Sequence, residues 1–158
     1  MTEQVSSYEQ ESGKKPVAMA LCSLAIIIAL VVGVGLASNL VLRHVVQTLP
    51  LWIAVVLGFR RSRATAWVAL PLFLFWLTLM VIIWLYLLGI ASLISGHFSP
   101  IEIAMTITVG AASIIGIGLF ARFKSRLSTA RALITFAAIA ALQCACFVLS
   151  FSSSIVHR

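Results

Sequence analysis

Arg43, His44 and Gln47 are the side chains of this chain best placed to do chemistry. They bring a guanidinium, an imidazole and an amide within about one helical turn, a set suited to holding an anion or passing a proton. They also open a mostly apolar stretch, Val41 to Phe59. A long basic side chain there can lie along lipid and reach the headgroup layer, and that plainer role is the expected one.

Glu102 is the single acidic residue after Glu11. It falls three residues after Ser99 with Pro100 between, which is the pattern of a capping box opening a helix, so it is expected to cap and not to carry protons. Gln143 is the one strongly polar side chain well inside the last apolar run, where bonding to a neighbouring helix is expected.

The histidines His44, His97 and His157 form no H-E-x-x-H and no pair at i and i+4, so no metal site is expected. Cys22, Cys144 and Cys146 lie in apolar runs without a C-x-x-C pair and read as small packing residues. Gly33-Val34-Gly35 and Gly116-Ile117-Gly118 also sit inside apolar runs and not after strands, so they read as helix-packing glycines and not nucleotide loops. No catalytic, cofactor-binding or metal-ligating residue is expected, no cofactor is implied, and the chain is not expected to be an enzyme.

The elements that hold these residues follow from composition. Of 158 residues, 62% are hydrophobic and 9% charged, whereas about a quarter of a soluble domain is charged. The sequence implies an all-α membrane protein, a bundle of five transmembrane helices, or four if one segment does not cross. A polar tail over residues 1–16 is expected to be disordered. The transmembrane domain covers 17–153, with spans at about 17–38, 41–59, 68–95, 101–121 and 130–152, and a short tail covers 154–158.

The first run, Val17 to Ser38, measures roughly 33 Å as a helix, too long for a cleaved signal peptide, so a retained anchor is expected. The segment 41–59 is the doubtful one. Arg43, His44, Gln47 and Thr48 dilute it, and Pro50 could open a helix at its first turn and leave only a short segment.

The chain has 11 basic residues and 4 acidic ones, and the basic ones stand at the ends of apolar runs. That placement fits anionic lipid headgroups and a cytoplasmic bias, and it argues against nucleic acid as a partner. With five spans and the amino terminus inside, Lys14, Lys15, Arg60, Arg61, Arg63, Arg122, Lys124, Arg126 and Arg131 are cytoplasmic, nine in all against Arg43 and Arg158 outside. Four spans give eight against three. In both arrangements the carboxyl terminus is non-cytoplasmic, in an inner or plasma membrane.

The fourth and fifth helices carry small-residue rows: Thr106, Gly110 and Ser113 with Ala112 and Gly116 on one, and Ala137, Ala141 and Ala145 on the other. Such rows allow close approach in lipid, so these helices are expected to pack on each other or on a partner. The function expected is that of a non-catalytic membrane subunit or scaffold, working through helix packing with other membrane chains or with itself. The alternative is a small oligomeric transporter or channel.

Overall fold

Within a bilayer the backbone must satisfy its own hydrogen bonds, and helices do so segment by segment. The computed structural model describes residues 2–91, 98–123 and 127–152, with side chains from residue 14 onward. Helix α1 (Thr2–Ile28) continues through a π-helical turn, Ala29–Val34, and a last turn, Gly35–Ala37. Then come α2 (Val41–Phe59), α3 (Thr65–Leu87), α4 (Pro100–Ala121) and α5 (Thr129–Leu149). Among the described residues, five helices are long and apolar enough to cross a membrane, the first over Lys14–Ala37. The all-α bundle expected from the sequence is the fold observed.

The doubt over 41–59 is resolved in favour of a full helix. Pro50 lies in the middle of α2 and does not open it. The two ends of α2 also meet the two ends of α1: Gly58 abuts Ala20 and the carbonyl of Pro16, while Gly35 abuts Val41 and His44. The two helices therefore run antiparallel along their whole length. Antiparallel contacts also join α4 to α3, with Gly110 against Trp84, Gly116 against Phe73 and Phe120 edge-on to Trp67 at 5.1 Å.

Two boundaries differ from those expected. Helix α1 starts at Thr2, inside the stretch assigned to a disordered tail over 1–16. Glu, Gln and Lys are good helix formers, and extending a helix already nucleated by an apolar span is far easier than starting one. Side chains of residues 1–13 lie outside the described residues. Helix α3 ends at Leu87, not at Ser95, because Gly89 takes a left-handed conformation (φ 71°). The N–H of Ile90 returns to the carbonyl of Leu85 (2.9 Å), which closes the helix with a Schellman motif. The apolar residues beyond Gly89 masked that stop in the sequence.

The same device makes the other tight turns. Asn39 (φ 58°) follows α1 and Arg61 (φ 52°) follows α2, with Leu40 N–H bonded to Gly35 O and Ser62 N–H to Leu57 O, both 2.9 Å. Asparagine tolerates this conformation, whereas arginine has no such advantage. Helix α4 opens with the expected capping box: Ser99 Oγ accepts from the Glu102 N–H (3.3 Å) and Glu102 Oε2 accepts from the Ser99 N–H (2.7 Å). Ser128 occupies the cap position of α5 without a side-chain bond.

The alternation of the helices gathers Lys14, Lys15, Arg60, Arg61, Arg63, Arg122 and Arg131 at one end of the bundle. Lys15 Nζ donates to the carbonyl of Arg122 there (3.2 Å), tying α1 to the end of α4. Arg43 and Glu102 stand at the opposite end. Lys124, Arg126, Arg158, His97, His157 and the tail over 154–158 lie outside the described residues.

Candidate functional site: a vestibule at one end of the bundle

Each helix contributes to a cavity of about 450 Å³ at the Arg43 and Glu102 end. Lining residues occupy matching ends of the five helices: Leu30 to Ser38, Leu40 to Gln47, Trp76 to Ile83, Glu102 to Val109, and Phe147 with Phe151. The seven helical steps from Glu102 to Val109 rise roughly 10 Å, so the vestibule extends about that far along α4. One turn deeper, Ile26, Leu51, Leu72 and Phe73 are fully buried and close the bundle below it.

The sequence singled out Arg43, His44 and Gln47 as a set, and the structure brings all three to this cavity together with Glu102. The Arg43 guanidinium lies over the Phe151 ring, 3.7 Å from its centroid, a favourable cation–π arrangement. Its Nε is buried without a hydrogen-bond partner among the described residues. His44 places Nδ1 2.9 Å from the Leu40 carbonyl, one turn back on its own helix. For a neutral ring that contact puts the proton on Nδ1 and leaves Nε2 as an acceptor. Glu102 is engaged by the capping box, as its spacing implied.

Gln47 reaches away from the cavity as well as lining it. Its Nε2 donates to Ser150 Oγ (2.9 Å), which itself donates to the Phe147 carbonyl (2.6 Å). Gln143 Nε2 donates in turn to the main-chain oxygen of Gln47 (3.0 Å). Gln143 is fully buried, and its role is the interhelical bond expected from the sequence. This chain of amides and a hydroxyl ties α2 to α5. Gln143→Leu removes it at similar volume, and we expect a stability loss of about 1–2 kcal/mol, read as a lower midpoint in detergent unfolding. A midpoint equal to wild type would show that the bond does not hold the helices together.

Several contributors were not legible as site residues. Trp76 is 2% exposed and stands edge-on to Phe75 at 5.6 Å; its indole N–H is buried without a partner among the described residues. Its position in mid-span was the signal, since a lipid-facing tryptophan prefers the interface. Phe147 and Phe151 stack edge to face at 5.1 Å, and their spacing of four and eight residues after Gln143 was the corresponding hint. Leu30 and Val34 come from the π-helical turn, which widens the helix beside the cavity; such turns recur at functional sites. The adjoining Gly33 and Gly35 serve packing, Gly33 against Met105 and Gly35 against Val41 and His44.

The small-residue rows behave differently from one another. On α4, Thr106, Gly110, Ala112, Ser113 and Gly116 are buried, Gly110 beneath Trp84 and Gly116 beneath Phe73. Trp84 Nε1 donates to Thr106 Oγ1 (3.1 Å) across the same seam. That row is thus used within the chain, against α3, and does not pack on the row of α5 as the sequence allowed. On α5, Ala137, Ala141, Cys144 and Ala145 are exposed. Just 17% of its span is buried, against 33–39% for the other four.

The fold is an all-α bundle whose five helices are each long and apolar enough to cross a membrane, consistent with a multi-pass membrane protein, and it carries a polar-rimmed vestibule at one end. No family model, curated protein or solved structure matches the chain.

Proposed function

We propose that the protein is a non-catalytic membrane subunit or scaffold that associates with other membrane chains, or with a second copy, through α5. The observation that carries this reading is the exposed row Ala137, Ala141 and Ala145. Such a row lets two helices approach closely in lipid, where packing and not hydrophobicity drives association. On α4 the equivalent row is already covered by Trp84 and Phe73, which leaves α5 as the available face. A subunit is favoured over a channel because the vestibule is closed below by fully buried Ile26, Leu51, Leu72 and Phe73.

The positive-inside rule assigns the basic end to the cytoplasm of a plasma or inner membrane, so the vestibule and the carboxyl terminus face the other side. Extraction in a mild detergent is expected to yield an assembly larger than one chain by light scattering. Ala141→Leu fills the approach surface and is expected to reduce the associated fraction roughly ten-fold. A strictly monomeric particle at every concentration, or an Ala141→Leu variant that associates like the wild type, would exclude this face.

A further inference from the structure

We propose that the vestibule binds an aliphatic carboxylate, with its head at Arg43 and its apolar body against the inner wall. The cavity, about 450 Å³, lies within the usual range of ligand sites, roughly 300–1,000 Å³. Its wall is apolar and aromatic, built from Leu30, Leu79, Met80, Trp76, Val109 and Phe147. Its polar groups converge at the rim. Ligand pockets combine these two features, an apolar body with a few placed polar groups.

Charge selects the head group. A cation set among apolar helices needs a counter-charge or water. Glu102 is the only acidic residue in the sequence after Glu11, and its carboxylate already accepts the Ser99 N–H at 2.7 Å. The other polar groups are likewise engaged: Gln47 Nε2 with Ser150, Thr106 Oγ1 with Trp84 and Ile103, His44 Nδ1 with Leu40. Among the described residues, Arg43 is the cation left to be matched, its Nε buried without a partner. With its face on Phe151, a guanidinium still offers donors along its edge, which pairs two-point with a carboxylate. A cationic ligand would meet Arg43 with a carboxylate already committed to its cap.

The test uses the full chain in phosphatidylcholine nanodiscs, titrated with sodium octanoate and followed by tryptophan fluorescence, with empty nanodiscs subtracted. Octanol and octylammonium have similar chains and different heads. Saturable binding of octanoate, at least roughly ten-fold tighter than either, is expected. Arg43→Gln should weaken octanoate roughly ten-fold and leave octanol unchanged. If Arg43→Gln does not fold, two other variants decide the matter: Arg43→Lys, which keeps the charge but loses the two-point pairing, should bind octanoate more weakly than wild type yet still in preference to octanol, and Val34→Phe, which narrows the cavity, should weaken both. The proposal is overturned if octanol or octylammonium binds as well as octanoate, if Arg43→Gln binds octanoate like wild type, if Arg43→Lys binds octanol as well as octanoate, or if Val34→Phe weakens neither. Nanodiscs containing phosphatidylglycerol separate the sources of anion. Displacement of octanoate by this lipid adds a lipid-borne anion to the same site, whereas a response to the lipid without any to octanoate rejects the carboxylate.

Discussion

Gly58→Ala is expected to cost about 1–3 kcal/mol and to loosen α1 from α2, although it adds one methyl group and improves helix propensity. A Cβ at this position would stand 2.6 Å from both Ala20 Cβ and the carbonyl oxygen of Pro16. One obstacle is main chain, so no side-chain rotation relieves it. The helices must move apart, and the apolar seam beside them opens. Gly118→Ala supplies the control: nothing lies within 4 Å of the added atom, so the same change there should be neutral or raise stability by up to about 1 kcal/mol. Thermal or denaturant unfolding in one detergent measures both. Equal midpoints for the two variants would show that α1 and α2 do not meet as closely as described.

Gly116→Leu is expected to destabilise by an amount at or above the upper end of that range, about 3 kcal/mol. The first added carbon already meets the Phe73 ring, and Phe73 is fully buried at the centre of the bundle with no room to turn. Phe73→Ala leaves a cavity instead and is expected to cost less than the roughly 3–5 kcal/mol seen for such truncations in water. In lipid the unfolded helices remain in an apolar solvent, so the loss is of packing more than of transfer. Combining Gly116→Leu with Phe73→Ala should recover much of the loss, because one side chain fills the space vacated by the other. Strictly additive losses would sink the proposed contact.

Sequence and structure part where one type of information overrides another. Hydropathy carried α3 to Ser95, but a backbone stop at Gly89 ended it. Small-residue rows were visible on both late helices, yet spacing cannot say what covers a row. Trp84 and Phe73 of α3 cover that of α4, a pairing of faces that neither helix's own spacing specifies. The Arg43, His44 and Gln47 group was visible as a possible anion site, with snorkelling preferred. What raises its standing is the arrival of Phe151 from α5 and Glu102 from α4 at the same end.

Length, hydropathy and flanking charge in the sequence were enough for a bundle of helices fit to cross a membrane, for the capping box at Ser99 and for the gathering of basic residues at one end. These follow from local hydrogen bonding, capping and the cost of burying charge, which act on each segment separately. Tertiary structure decided that 41–59 is a full-length partner of α1, that one small-residue row is covered and the other exposed, and that five helix ends enclose a vestibule. These depend on which faces meet across the bundle. Because nearly every face of a membrane helix is apolar, periodicity leaves that choice open, and close packing at positions such as Gly58 and Gly116 makes it.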